Sequence, residues 1–485
     1  MSVASADLLQ DSSSDLRQKT RAMASPVKSQ HVPNEIVLLI FRQLRKQDLK
    51  SVRIVCKLWS SLAVELLFDR IYISPHRENL EVFSNITNHP ILSKSIRELV
   101  YDISVFTAEV TRLEYFDALC QQMRVRSLRL PRKHTFQTAD EQVNEVLQYA
   151  KADHQPGQRR GEGVARLSNH RIVDRGHRAY LEYARQQQEC YESGELLARL
   201  CLGLEKLPNL DAVVLGEDWR HYSTDRQFDP SILHSVHRLG CPLARTWNPL
   251  FLEPKTIWRD DDGHIEFFTV TRALSLTHKT VKKVLACSYL RLYQSAFDSN
   301  ALMSTSLMRH TINALQDAET LSMRICSRPG HDTGSIDALP TVLQSMTVLK
   351  DLDLDMNKLL GDNDTLYTLP ELFGSRSVWP HLSYLKVSSF AASETTLIRF
   401  LTRLRALREL RLENIELTSG SWESTIEGMR TSLGLRALTL DMPLRHLGGV
   451  DVWDELTWDV EFMDEKIERY VLYGGKNPLR VEPQG

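Results

Sequence analysis

HVPNEIVLLIFRQLRKQDLKSVRIVCKLWSSLAVELLFDRIY, residues 31–72, is the most strongly patterned stretch of the chain. Its first half places apolar side chains at the spacing of one helix face, at Ile36, Leu39, Ile40 and Leu44. Pro33 suits a first helical turn, where its missing N–H costs nothing, and Glu35 lies near the positive end of the helix dipole. The pattern predicts an amphipathic helix that begins directly after Pro33.

A second apolar stripe follows Asp48, which we expect to be an N-cap because its carboxylate can accept a free backbone N–H. The stripe consists of Leu49, Val52, Val55, Cys56, Trp59, Leu62, Ala63 and Leu66. Two short helices so close in sequence are expected to pack as a helical hairpin. A module of about 40 residues cannot bury an adequate core alone. It is therefore expected to bury its remaining apolar surface against a partner or the rest of the chain.

The same residues resemble the F-box, a family module that opens with Leu-Pro-x-Glu-Ile, continues with Ile-Phe-x-x-Leu and Asp-Leu, and closes on Val-Cys-Lys-x-Trp. The matching residues are Val32-Pro33-Asn34-Glu35-Ile36, Ile40-Phe41-Arg42-Gln43-Leu44, Asp48-Leu49 and Val55-Cys56-Lys57-Leu58-Trp59. Only Val32 departs from the pattern, since Leu is usual there. The resemblance implies that the module docks on the Skp adaptor of a cullin-RING ubiquitin ligase, and that the rest of the chain selects the substrate.

The resemblance also implies which residues carry or support the contact with the adaptor. They are Val32, Pro33, Ile36, Ile40, Leu44, Leu49, Val52, Val55 and Trp59. Some of them are expected to pack internally, Trp59 before the others. From the residues alone, a hairpin that packs only within its own protein stays an open alternative.

Composition narrows the class of protein. With 485 residues, the chain is long enough for roughly two to four domains, and its 42% hydrophobic and 25% charged residues are ordinary for a globular protein. A formal net charge of −2 gives no general attraction to nucleic acid or anionic membrane. The seven cysteines are scattered without a C-x-x-C, which favours a reducing compartment. We see no signal peptide and no apolar run long enough to span a membrane, so a cytoplasmic or nuclear location is expected.

Short L-x-L segments recur after the helical module and read as strands. They lie at 95–103, 126–130, 210–215, 320–325, 349–354, 382–387, 407–412 and 435–440. From Leu321 onward, their spacings are 31, 33, 25 and 28 residues, values that straddle the leucine-rich-repeat period of roughly 20–29 residues. In such a unit the leucines face the core and the intervening side chains face outward. The units resemble divergent leucine-rich repeats.

The expected fold class is therefore α/β, with an N-terminal helical F-box followed by an irregular leucine-rich-repeat-like solenoid that has a parallel strand row. Helices are predicted between the strands at 336–346, 393–404 and 419–433, with Ser393 and Ser419 as N-caps. A βα-rich domain without regular repeats is the alternative. The predicted domains are a disordered tail at 1–29, the F-box at 30–75, and a repeat region at 76–485.

Three further segments carry predictions. An insertion at about 132–200 is expected to contain a long helix from Ala179 to Cys201. Asp262-Gly263, between two apolar runs, predicts a β-hairpin turn. At the C-terminus, a helix over 460–470 and a strand at 471–473 are expected to cap the last repeat. Together with Gly474-Gly475-Lys476-Asn477-Pro478, this layout resembles F-box proteins of filamentous fungi.

No catalytic, metal or cofactor motif stands out in the chain. We therefore expect a non-enzymatic protein without a cofactor, whose partners are the Skp adaptor, the cullin ligase core and an unidentified protein substrate, and neither nucleic acid nor membrane. Substrate contacts are predicted at outward positions of the strand row, at Arg324, Asp351, Asp353, Asp355, Tyr384, Lys386, Arg411 and Glu413. The alternating aspartates of this set could instead hold a metal, although a solvated face is the simpler interpretation. The alternative function is a repeat scaffold whose F-box-like hairpin serves assembly outside any ligase.

Overall fold

The computed structural model describes residues 32–44, 46–102, 110–112, 171–216, 264–286, 292–293, 305–326, 336–356, 366–374, 379–441, 445–446 and 460–480. The predicted tail at 1–29, the strand unit at 126–130 and most of the 132–200 insertion lie outside these residues. The chain divides into two compact units, Met1–Leu67 and Phe68–Gly485.

The first unit contains three described helices, α1 (Asn34–Phe41), α2 (Lys46–Val52) and α3 (Lys57–Leu67). They enclose a small core of four buried side chains, those of Val37, Phe41, Leu49 and Ala63. The Trp59 ring packs edge-on against Phe41, with centroids 5.6 Å apart. The predicted helix after Pro33 is confirmed.

The predicted second helix is wrong in one respect, because it is two helices separated by a turn at 53–55. β-branched Ile54 and Val55 lose side-chain freedom in a helix, which favours a break there. Cys56 supports the break, since its Sγ accepts the backbone N–H of Trp59 at 3.4 Å in the first turn of α3. Asp48 lies inside the first turn of α2 and is not its N-cap.

The second unit alternates helices and strands. In chain order these are β1 (Arg70–Ile73), α4 (Arg77–Asn88), α5 (Leu92–Ser95), β2 (Glu98–Asp102), α6 (Arg171–Glu192), α7 (Glu195–Leu204), β3 (Ala212–Gly216), α8 (His264–Leu276), β4 (Lys283–Ala286), β5 (Leu292–Tyr293), α9 (Thr305–Leu315), β6 (Thr320–Cys326), α10 (Leu339–Ser345), β7 (Asp351–Asp355), β8 (Tyr367–Thr368), α11 (Leu369–Phe373), β9 (Tyr384–Ser393), α12 (Glu394–Arg403), β10 (Glu409–Ser419), α13 (Trp422–Ser432), β11 (Ala437–Asp441), β12 (Arg445–His446) and α14 (Val460–Tyr473).

Within the described residues, nine strands form one continuous sheet in the order β1-β2-β3-β4-β6-β7-β9-β10-β11, and every pairing is parallel. The two-residue strands β5, β8 and β12 pair with β6, β9 and β10. Seven of the predicted strand positions are confirmed. Strands β1 and β4 were not predicted, because RIYI and KVLA lack the L-x-L pattern.

The two faces of the sheet differ in chemistry, as β7 illustrates. Leu352 and Leu354 are fully buried in the apolar core between the sheet and the helices, whereas Asp351, Asp353 and Asp355 alternate with them and stay partly exposed. The predicted inward and outward positions are therefore confirmed for this strand. One face of the sheet builds the core, and the other presents polar side chains.

Strands β9 and β10 continue past their predicted ends through a shared corner. Ser389 and Asn414 both take left-handed backbone conformations, with φ of 59° and 51°, and the Asn414 amide donates to Ser389 Oγ at 3.1 Å. Asn tolerates this conformation better than most side chains do. Beyond the corner, Phe390 and Ile415 pair in register and are buried.

A ladder of backbone hydrogen bonds runs along the edge where the strands start. The carbonyl of the residue before each strand accepts two N–H groups from the start of the next strand; Glu319, for example, accepts from Lys350 at 2.7 Å and Asp351 at 3.0 Å. The residues of this strand-start edge are Asp69, Arg97, Asp211, Lys282, Glu319, Lys350, Ser383, Arg408 and Arg436. Their charges alternate as far as Lys350, and Lys350 Nζ lies 2.8 Å from Glu319.

Two predictions in the middle of the chain are wrong. The long helix predicted from 179 to 201 is interrupted at Gly194, whose φ of 70° ends α6 and lets α7 begin. The second strand of the β-hairpin predicted around Asp262-Gly263 is wrong, because the apolar run after the turn lies in α8, while the turn residues lie outside the described residues. That run has helical spacing, since Phe267, Val270 and Leu274 are all buried.

The C-terminal repeats also differ in detail. Ser393 caps α12 as predicted, accepting the Thr396 N–H at 3.2 Å. The cap of α13 is Ser421 rather than Ser419, with Ser424 N–H as the donor at 3.1 Å. Residues 471–473 belong to α14 and do not form the predicted strand. Helix α14 contacts α13 and the last long strand, β11.

Candidate functional site

Among its described residues, the first unit has seven exposed large apolar side chains, compared with four apolar side chains that are buried. Val32, Ile36, Leu39, Ile40, Ile54, Val55 and Leu58 are all exposed, with accessible fractions from 42% to 87%. These seven residues are called the apolar surface of the first unit below. So much apolar exposure on a small unit is typical of a protein-binding surface.

The residues that the resemblance assigns to adaptor binding divide into three groups. Val32, Pro33, Ile36, Ile40 and Val55 are exposed. Leu44, Val52 and Trp59 are partly buried against the small core. Leu49 is only 3% exposed, so it supports the surface from within and has no area to offer a partner. The sequence-based set omitted exposed Leu39, Ile54 and Leu58, although Leu39 lies in the first apolar stripe.

Comparison with family models bears on this same stretch. Residues 29–74 match the family model described as F-box-like. The match supports an F-box protein, and an F-box-like domain suggests in general terms an adaptor role of the Skp-cullin-F-box type. A search of curated proteins found no match to the chain. The apolar surface of the first unit thus belongs to the F-box-like domain.

The second candidate surface is the polar face of the sheet in the other unit. All eight residues predicted to bind a target lie on β6, β7, β9 and β10. The parallel register aligns them in rows across neighbouring strands, with Asp351 beside Tyr384, Arg324 beside Asp355, and Lys386 between Asp353 and Arg411. The structure therefore brings the whole predicted set together.

Ion pairs join the cations of this polar face to carboxylates on it. Lys386 Nζ lies 3.7 Å from Asp353 Oδ1 and 3.4 Å from Glu413 Oε1. Arg411 Nε lies 2.5 Å from the same Glu413 oxygen, and Arg324 pairs with Asp355. Every basic residue of the predicted set is thus already paired within the face.

Two side chains of the face, Asp353 and Tyr384, have pKa values shifted by partial burial. Burial raises the pKa of the Asp353 carboxyl, although Lys386 and Ser322 oppose the rise. Burial also raises the pKa of the Tyr384 phenol, with a further contribution from Asp353. Both shifts indicate a partly desolvated surface on which carboxylates outnumber the cations available to them.

Other kinds of site find little support in the part of the chain that the structure describes. Its residues include no group of three His, Cys, Asp or Glu side chains placed to hold a metal ion. None of its helices combines the length and the apolar character needed to cross a bilayer. The thiols of Cys190 and Cys201 have pKa values raised by burial, which disfavours the reactive thiolate.

Proposed function

We propose that the protein is the substrate-receptor subunit of an Skp-cullin-F-box ubiquitin ligase. The observation that carries the proposal is the exposure of Ile36, Ile40 and Val55 within the residues that match the F-box-like model. Covering such side chains with a partner removes apolar area from water, at roughly 25 cal/mol per Å². The partner proposed to cover them is the Skp adaptor.

In this proposal the second unit is a divergent leucine-rich-repeat solenoid that holds the target on its polar face. Its support is the agreement between strand order and chain order in an all-parallel row, the arrangement expected when similar units stack on one another. The protein is proposed to work without an active site of its own. Holding a target near the ubiquitin-loaded enzyme raises the effective concentration of its lysines.

Co-expression with an Skp adaptor tests the proposal. The Ile36→Asp/Ile40→Asp variant changes two side chains that are about half exposed, 47% and 54%, so the unit should still fold. Two such side chains in an interface centre predict an affinity loss of roughly a hundredfold or more. The matched control is Val82→Asp/Leu202→Asp in the other unit, where both positions are likewise about half exposed, 53% and 58%.

The expected result is co-purification of the adaptor with the native chain and the control, and its loss with the Ile36→Asp/Ile40→Asp variant. If the folded native chain fails to retain the adaptor, the ligase proposal is refuted. The assembly scaffold then becomes the better hypothesis. Loss of a ligase receptor should make its target accumulate, whereas loss of a scaffold should disperse its partner without changing the partner's abundance.

A further inference from the structure

The polar face of the second unit has carboxylates left over after its cations are paired. Before the corner at Ser389 and Asn414, the strands β6, β7, β9 and β10 carry three cations and five carboxylates, the fifth being exposed Glu409 at the start of β10. Lys386, Arg411 and Arg324 are engaged as described above. An acidic target would have to break those pairs, whereas a basic target would not.

Two of these carboxylates flank an aromatic ring. Asp351 is in register with Tyr384, and Tyr384 is in register with Glu409 on the next strand. Neighbouring strands lie about 4.8 Å apart, so the two acidic residues start about 10 Å apart with the ring between them. Among the described residues, Asp351 accepts a hydrogen bond from the Thr320 hydroxyl at 3.1 Å, and Glu409 makes no ion pair.

Charge and ring together specify the chemistry of a ligand. A Lys ammonium or Arg guanidinium above Tyr384 would gain a cation–π contact and two charge-assisted contacts. Burial is the main reason that the pKa of the Tyr384 phenol is raised, and nearby Asp353, Glu413 and Glu409 raise it further, whereas Arg411 lowers it. Carboxylates therefore outnumber cations among the charged groups that act on this ring.

The neighbouring edge limits how many cations can bind. Lys350 and Arg408 lie one residue before Asp351 and Glu409, on the strand-start edge. Lys350 is paired with Glu319, and the Arg408 guanidinium donates to the carbonyl of Leu407 at 2.8 Å. A long polybasic segment would meet these positive charges, so a segment with a single cation fits better.

We infer that Asp351, Tyr384 and Glu409 form a recognition site for one Lys or Arg side chain of a bound protein segment. The inference rests on the proposed function, because it specifies the chemistry of the target that the polar face would hold. In this inference Lys386 and Arg411 do not contact the target; they form ion pairs with carboxylates of the face.

Saturation-transfer NMR with the full chain tests the site. The probes are Nα-acetyl-arginine amide and Nα-acetyl-lysine amide, with Nα-acetyl-glutamate amide as the probe of opposite charge. The test variant is Asp351→Asn/Glu409→Gln. The matched control, Glu81→Gln/Glu205→Gln, removes the same charge from exposed positions at α4 and beside α7.

The native chain and the control are expected to bind both cationic probes in preference to the glutamate probe. Binding to the Asp351→Asn/Glu409→Gln variant should be roughly tenfold weaker, the effect of two exposed ion pairs. Tyr384→Leu should weaken binding further, whereas Tyr384→Phe should retain it, because the ring supplies the contact. Equal binding by native and test chains, or preference for the glutamate probe, would overturn the inference.

These outcomes are independent of the adaptor experiment. A chain that retains the adaptor but ignores the cationic probes keeps the ligase proposal and loses this inference. A chain that binds the probes at this site but never retains the adaptor loses the ligase proposal and keeps the site.

Discussion

Packing between α4 and α7 gives a sharp test of how the second unit is built. Gly203 in α7 lies directly under the Phe83 ring of α4, and a Cβ at residue 203 would overlap Phe83 Cε1 and Cζ. Phe83 is fully buried, so its ring cannot move into solvent. The contact matters because α4 precedes residues 113–170 and α7 follows them. The sequence does not decide whether regular repeats continue across this part of the chain.

The expected magnitude for Gly203→Ala combines two opposing effects. Alanine in a helix interior is favoured over glycine by about 1 kcal/mol. Overpacking a well-filled core costs about 1–3 kcal/mol, and the severe overlap with Phe83 places this site at the upper end. We therefore expect a net loss of about 1–2 kcal/mol in the free energy of unfolding.

A second substitution and a matched glycine make the test specific. In the Phe83→Leu background, Gly203→Ala should cost little, so the two changes should couple by about 1–2 kcal/mol. At Gly428 in α13, an added Cβ would meet only the Ile398 side chain, at 3.1 Å from Cδ1 and 3.2 Å from Cγ1. Gly428→Ala is therefore expected to be neutral or stabilising.

Urea unfolding and hydrogen exchange in the α4 and α7 peptides would measure these effects. Gly203→Ala should lower the midpoint and speed exchange in both peptides, and the Phe83→Leu background should remove the difference. A Gly203→Ala chain as stable as the native one would refute the packing of α7 on α4.

Three further predictions concern other parts of the molecule. Asn414→Val should destabilise the β9–β10 corner by about 1–2 kcal/mol, because the left-handed backbone at this residue disfavours β-branched side chains. Asn414→Gly should cost less. Equal unfolding midpoints for the two variants would contradict this prediction. Leu49→Ala should cost about 2–5 kcal/mol and unfold the first unit, while Ile36→Ala should leave its circular dichroism unchanged. The His76 ring packs at a tilt against Tyr183, with centroids 4.3 Å apart, and burial lowers the His76 pKa below 6.5. Stability should therefore fall as pH drops below about 6.5 toward the folded pKa. In His76→Phe, unfolding curves should lack that part of the pH dependence.

Periodicity explains most of what the sequence could predict. The leucines of β7 and β10 recur at every second residue, so their burial and the outward direction of Asp353 or Arg411 follow from strand geometry alone. Helical spacing also places Ile36, Leu39 and Ile40 in one stripe of α1, but it does not predict that this stripe is exposed while Val37 and Phe41 are buried. Strands β1 and β4 have buried residues at alternate positions too, but RIYI and KVLA are too short to be distinguished from other apolar runs.

The pairing of charges could not be predicted, because it depends on register between strands. Lys386 meets Asp353 and Glu413 only when β7, β9 and β10 align residue by residue. Without those pairs, the mixed charges of the face do not indicate whether a target would be acidic or basic. Glu409 was omitted from the predicted set because it precedes the first leucine of its strand, and only register places it beside Tyr384.

The alternating charges of the strand-start edge bear on how the sheet avoids misfolded topologies. In an all-parallel row of similar strands, a strand could be skipped without changing the apolar pattern of its neighbours. Skipping a strand whose preceding residue is acidic, as Glu319 is, would bring Lys282 beside Lys350, and adjacent like charges are destabilising. This discrimination ends at Ser383, which is uncharged, and the next two residues of the edge, Arg408 and Arg436, carry the same charge. The last strands must find their order by other means, and the Asn414–Ser389 hydrogen bond is specific to one such pair.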